Sequence, residues 1–243
     1  NMVLELYLDL FSQPCRSVYI FAKKNNIPFE FKKVALAEGQ QYEEDFGKIN
    51  PLRKVPVMKD DAFILAESIA ILSYLAQKFN MPDHWYPCDL QKRARVNEYL
   101  SWQHIAIRMQ GSKYFWFKLM VPIITGEEVP KEKMDSLLED LNMSLKLFEE
   151  KFLQDRPFII GEQISLADLV AIVEMMQPVG AGLDIFAERP KLSVWRDRVK
   201  QAIGKELFDE AHKTIMNAKD LPKIFEQNGM LEFLKPRIQK MFT

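Results

Sequence analysis

The hydrophobic pattern of this chain changes period once, near residue 80, and that change requires two domains of different kinds. Ahead of it, Leu4, Leu6, Leu8 and Leu10 alternate with Glu5 and Asp9, the two-residue repeat of a strand. Cys15, Val18, Tyr19 and Ala22 follow at helical spacing, and "NNIP" closes that helix. "FEFKKVAL" reads as a second strand, "YEEDFGKIN" as a short helix, and "VPVMKDDAFILAES" as a hairpin turning at Asp60-Asp61. Ile69, Leu72, Leu75, Ala76 and Phe79 line one face of a further helix. This order over residues 1–80 predicts an α/β domain, a small mixed sheet with helices packed on it.

"NMPDHWYPCD" carries two prolines and no periodicity, which places a linker at 81–88. Residues 89–243 hold no strand pattern and read as an all-helical domain. Helical stretches are expected at about 91–120, 191–203, 206–218 and 228–241, the last broken near Pro236. Leu137, Leu138, Leu141, Leu145, Phe148 and Phe152 mark another. Ser165 and Asp168 have the spacing of a capping box, with Ile164 and Leu169 as its hydrophobic staple.

Bulk properties narrow the function. The 243 residues carry a formal net charge of −1, which removes the usual electrostatic argument for nucleic acid or an anionic membrane as partner. No apolar run reaches spanning length and no secretory signal is visible. Two cysteines, Cys15 and Cys88, suit a reducing compartment, so a cytoplasmic location is expected. His84, His104 and His212 are far apart and no paired-cysteine spacing exists, so no metal is expected. "VGAGLD" follows a helix, where glycines end helices more often than they bind phosphate.

Chemistry concentrates at Ser12-Gln13-Pro14-Cys15, the turn from first strand to first helix. The arrangement is that of a C-x-P-C thiol–disulfide centre with serine at the first position. A helix N-terminus favours an anion in front of it. With no thiol of its own there, the chain offers a hydroxyl that can donate to a thiolate supplied by a ligand. The plain alternative is that Ser12 only caps the helix, with Pro14 tolerated in its first turn and Cys15 packed in the core.

Three more features bear on that choice. Val55-Pro56 opens a strand where proline is normally a poor choice. A cis bond would turn the Val55 backbone outward as an edge for an extended peptide, whereas a trans edge proline would mean nothing more. Glu67-Ser68 begins a helix, and Ser68 as its cap offers a second anion site suited to a carboxylate. Arg53 and Lys54, with Gln40 and Gln41, offer a third, though solvated loop charges also explain them. Together they describe an extended peptide with a central thiol and a carboxylate at each end, which is glutathione.

"LYLDLFSQPCRSVYIFAKKNNIPFE", "INPLRKVPVMKDDAFILAESIAILSYLAQK", "WYPCDLQKRARVNEYLSWQH" and "ISLADLVAI" resemble the theta class of cytosolic glutathione transferases, from Leu4 to about Leu221. The resemblance implies a thioredoxin-like N-terminal domain, an all-helical C-terminal domain and a homodimer. It implies Ser12 as the residue that donates to the glutathione sulfur. Lowering a thiol pKa of about 8.5 by ~2 units requires roughly 2.7 kcal/mol. A hydrogen bond to a charged acceptor supplies about 1.5–3 kcal/mol and a helix end about 0.3–1, so one hydroxyl and one helix end suffice.

By the same resemblance Val55 pairs with the cysteinyl backbone, Glu67 and Ser68 receive the γ-glutamyl end, and Lys54 lies near the glycyl carboxylate. Gln41 stands where the family pattern has histidine. Arg108 matches an arginine facing the sulfur, and Trp116, Phe117, Met120, Met175 and Met176 are candidates for the apolar wall that takes the electrophile. The C-terminal segment would cover that wall. The implied reaction is attack of the glutathione thiolate on haloalkanes, epoxides or arylmethyl sulfates, with organic hydroperoxides as further substrates. The rivals are a thiol or dehydroascorbate reductase, which needs an attacking cysteine, and a non-catalytic binding scaffold of the same fold.

Overall fold

The computed structural model of the chain describes residues 3–240. It opens with β1 (Leu4–Leu8), α1 (Gln13–Lys24), β2 (Phe29–Lys33), α2 (Glu44–Ile49), β3 (Val57–Asp60), β4 (Phe63–Ala66) and α3 (Ser68–Lys78). The strands form one sheet ordered β2-β1-β3-β4, with β1 parallel to β2 and the other pairs antiparallel. A parallel neighbour requires a crossover, and α1 supplies it. Alternation in β1 turns Leu4, Leu6 and Leu8 into the core, where α1 meets them with Cys15, Val18, Ile20 and Phe21.

The hairpin turn falls one residue later than the pattern suggests. Asp60 still pairs with Phe63, and Asp61 takes the positive φ of the turn. Asp60 is held in the ladder from α3, because its carboxylate accepts from the Tyr74 hydroxyl at 2.5 Å and from Lys78. The stretch 81–88 is no loose tether. It contains a 3-10 turn, Asp83–Trp85, and the Trp85 indole packs edge-on against Phe21, centroids 5.3 Å apart.

The regular elements of the second half are all helical among its described residues. α4 (Leu90–Gln103) starts on Asp89, whose carboxylate accepts the Lys92 N–H at 3.0 Å. The helix then runs on through a π turn (His104–Met109), α5 (Gln110–Phe115), a second π turn (Trp116–Met120) and α6 (Val121–Thr125). It passes the expected end near residue 120, with Pro122 placed just after the second π turn. α7 (Lys131–Leu147), α8 (Leu166–Gly180), α9 (Pro190–Ile203) and α10 (Lys205–Met216) follow. α8 is the axis, with every residue from Leu166 to Pro178 buried. Its capping box forms, and the Asp168 carboxylate also accepts from Ile159 N at 3.0 Å and the Trp195 indole at 2.9 Å.

The tail corrects one expectation. The break lies at Gly229 (φ 74°), between α11 (Leu221–Asn228) and α12 (Met230–Gln239), and Pro236 sits inside α12. Glycine takes the left-handed conformation without a Cβ clash, and Asn228 caps the new start by accepting from Met230 N at 3.0 Å. Residue 241, the expected end of that helix, lies outside the described residues.

Candidate active site

Ser12 is the N-cap of α1, with extended backbone (φ −87°, ψ 130°) and no capping bond from its side chain. Its N–H donates to Asp9 O at 3.0 Å, and its carbonyl accepts from Arg16 N at 3.1 Å. The backbone is therefore committed, and the half-buried hydroxyl makes no capping bond but faces the Cys15 thiol, which removes the purely capping role. Asp9 stiffens the turn by accepting from Phe11 N and Leu36 N, both at 2.9 Å. Cys15 is fully buried, and burial pushes its thiol up to about 12, against the opposing pull of the Asp9 backbone and the Ser12 hydroxyl. Such a thiol is not ionised at neutral pH, which argues against the reductase alternative.

Lys54, Val55, Glu67, Ser68 and Arg108 line one cleft of about 240 Å³ between the two domains. The Val55–Pro56 bond is cis. Neither the N–H nor the C=O of Val55 finds a partner among the described residues. Asn50 shapes this loop by donating to Lys54 O at 2.9 Å and accepting from Leu52 N at 3.1 Å. Buried Asn50 escaped the sequence reading, although an Asn-Pro step before a basic pair is a turn signal.

Across the cleft Ser68 is the first residue of α3, and Glu67 occupies the cap position that Ser68 was expected to fill. Glu67 has φ 72° and ψ 114°, a conformation costing about 1–3 kcal/mol in a non-glycine residue and concentrated at functional sites. The first backbone N–H groups of α3 thus open onto the cleft without an intrahelical acceptor.

Gln41 does not line the cleft. Its carbonyl accepts from Arg53 at 3.5 Å, and its Oε1 is buried without a partner. Gln40 is turned away, accepting from Ala35 N at 2.7 Å. Arg108 rides the first π turn, an irregularity often found at functional sites, and donates to Glu174 Oε1 on α8 at 3.0 Å.

The apolar candidates separate into two groups. Trp116, Phe117 and Met120 join Phe11, the neighbour of Ser12, in a cluster built with tail residues Phe225, Met230 and Phe233. Met120 is fully buried there and Trp116 partly so. Met175 and Met176 do not reach that cluster; they are packed in the main core, on the helix whose residues from Leu166 to Pro178 are all buried. Among the described residues no three His, Cys, Asp or Glu side chains gather to hold a metal ion.

Comparison with known proteins shows the family. Residues 2–77 match the family model "Glutathione S-transferase, N-terminal domain", and residues 112–201 match "Glutathione S-transferase, C-terminal domain". Glutathione S-transferase theta-1 of Gallus gallus is 54% identical over 99% of both chains. The apo form of human glutathione S-transferase T1-1 superposes with a TM-score of 0.88, at 50% identity over 96% of this chain and 99% of that one. A human theta-class enzyme in complex with the glutathione conjugate of 1-menaphthyl sulfate superposes at 0.86, with 49% identity over 91% of this chain and 89% of that one. The chain belongs to the theta class of the glutathione S-transferases.

Proposed function

We propose that Ser12 holds glutathione as its thiolate and that the chain directs this sulfur at small electrophiles: haloalkanes, epoxides and arylmethyl sulfates, with organic hydroperoxides reduced at the same site. The observation that carries the reading is the pairing, in one cleft, of an unsatisfied peptide edge at Val55 with an open helix start at Ser68. An extended tripeptide answers both. Its cysteinyl backbone pairs with Val55, its γ-glutamyl carboxylate meets Ser68 beside Glu67, and Lys54 takes the glycyl end where it leaves the cleft toward Gln41.

Catalysis is then positioning plus charge stabilisation. The Ser12 hydroxyl donates to the sulfur, and the N-terminal end of α1 favours its negative charge. The thiolate attacks carbon as the leaving group departs in line with its charge. Arg108 stands at the cleft to receive that anion. Trp116 and Phe117 with the tail form the electrophile wall, backed by the fully buried Met120, while Met176 lies outside that cluster. No metal takes part. The solved human relative bound to an arylmethyl-derived glutathione conjugate supports this substrate class.

The proposal extends to organisation: a glutathione-binding domain at 1–80, a linker at 81–88, a helical domain at 89–243, and a homodimer acting in detoxification in the cytoplasm. Phe63 and Ile64 on β4, and Ile105 and Met109 on the π turn, are exposed apolar side chains suited to burial in the dimer. Conjugation of a small haloalkane and of 1-menaphthyl sulfate, measured for wild type and Ser12→Ala, tests the mechanism. The variant should lose about 10- to 150-fold in kcat/KM. Equal rates would take Ser12 out of the chemistry, and glutathione binding without turnover in wild type would favour the scaffold.

A further inference from the structure

Arg16 stands in the first turns of α1 with its side chain completely buried. Its Nη1 donates to the carbonyl oxygens of Leu10 at 2.9 Å and Phe11 at 3.0 Å, in the two residues directly before Ser12. Its Nη2 donates to Gln177 Oε1 at 2.6 Å, on α8 of the other domain. A planar fork can span these three acceptors, whereas a lysine ammonium on its flexible stem would not hold them in one plane. Burial draws the guanidinium down to about 10, opposed by Glu174 and Cys15, so it stays protonated at neutral pH. Its other charged neighbours are Arg108, which lowers it further, and Asp9, which raises it. From α10 the group facing it is His212, kept neutral by burial.

Two more ties reach the same turn from the helical domain. Gln13 Nε2 donates to Ser112 Oγ at 2.6 Å, and the Phe11 ring packs edge-on against Phe115, centroids 5.7 Å apart. The residues flanking Ser12 on both sides are thus fastened across the domain boundary, while the Ser12 hydroxyl makes no capping bond and has the Cys15 thiol beside it.

Building on the reading of Ser12 as thiolate donor, we propose that Arg16 and Gln177 are positioning residues for Ser12. The chain from Gln177 through Arg16 to the Leu10 and Phe11 carbonyls fixes the peptide that aims the hydroxyl. The second domain thereby acts on the ionisation of a thiol bound by the first, through a link that touches neither glutathione nor electrophile.

Gln177→Met tests this with little change of volume, since it removes the acceptor and keeps the side-chain length. The readouts are the ultraviolet thiolate band of bound glutathione titrated against pH, and kcat and KM separately. The bound thiol should titrate about 0.5–1 pH unit higher, and kcat should fall about three- to tenfold with KM for glutathione within about twofold. That is well short of the ~100-fold expected of a 1 Å misplacement. Ser112→Ala, at a half-buried site, loosens the same turn and should move the titration the same way by less. In a Ser12→Ala background neither substitution should move it further.

A wild-type titration and kcat in Gln177→Met would overturn the proposal. So would the same displacement with and without Ser12. Failure of the underlying reading looks different, because Ser12→Ala alone would then leave the bound thiol unchanged.

Discussion

Arg108 Nη1 meets Glu174 Oε1 at 3.0 Å, and the two partners are unequally buried: the Glu174 side chain is 3% exposed and that of Arg108 35%. Burial pushes the Glu174 carboxyl up, and Arg108, then Arg16, pull it back down. Glu174 Oε2 has no partner, so the pair already carries an incompletely satisfied charge. Replacing Arg108 with leucine would strand the carboxylate and should lower stability by about 2–3 kcal/mol, the low end for a broken buried pair because Arg108 is partly solvated. Adding Glu174→Gln should return most of that stability in urea unfolding, yet turnover of 1-menaphthyl sulfate should stay low. Recovery of turnover along with stability would reduce Arg108 to a structural counter-ion.

The two cysteines should behave oppositely toward thiol reagents. Cys88 is exposed on the stretch between the domains, whereas Cys15 is fully buried with its pKa pushed up to about 12. Reaction of the native protein with a disulfide reagent should consume one thiol quickly and release the second only on unfolding. A glutathione mixed disulfide on Cys15 of the native protein would revive the reductase reading.

What was readable in the sequence follows the range over which each signal acts. Helix starts and strand alternation are local, so the placement of Ser12 and Val55 needed only their neighbours, and the start of α3 was legible to within one residue, Glu67 and not Ser68 being its cap. Local spacing also exposed the Ser165–Asp168 capping box. The partners of Arg16 and Arg108 could not be read this way, because Gln177 and Glu174 lie 161 and 66 positions away along the chain. Met175 and Met176 lie in the main core and not in the Trp116 cluster, for a reason the sequence does contain. "LADLVAIVEMM" is apolar almost all round, the mark of an enclosed helix, and it gives the cleft only Val170 and Glu174.

The tail bears on the loop that carries Gln41. Asn228 Nδ2 donates to Ala37 O at 2.7 Å, Phe233 packs on Tyr42 with centroids 5.1 Å apart, and Arg237 lies 3.6 Å from the centre of the Phe233 ring. Phe233→Ala removes the aromatic contact and leaves a gap at the domain boundary. It should raise KM for glutathione by about two- to fivefold, equivalent to roughly 0.4–1 kcal/mol, and speed proteolysis within α12. An unchanged KM with faster proteolysis would uncouple the tail from glutathione binding.

The last expectation concerns pH. His212 is 1% exposed, with Nδ1 2.7 Å from Phe208 O, and burial drives its pKa down to about 3, helped by the charge on Arg16. An unfolded histidine titrates near 6.5, so between those values the unfolded chain binds a proton that the folded chain refuses. Stability from this group is therefore complete above about pH 6.5 and declines as pH falls toward 3. At pH 5 the loss relative to pH 7 is about 2 kcal/mol. Asp168 acts in the opposite direction, since burial raises its carboxyl to about 6 and acid favours its folded, protonated form. The comparison must therefore be a difference. His212→Asn keeps a donor for Phe208 O and cannot titrate, so the stability gap between wild type and variant should shift by about 2 kcal/mol in the variant's favour from pH 7 to pH 5. Parallel curves would mean that His212 accepts its proton inside the fold, and that the packing of α10 against α1 is looser than the contacts of this ring require.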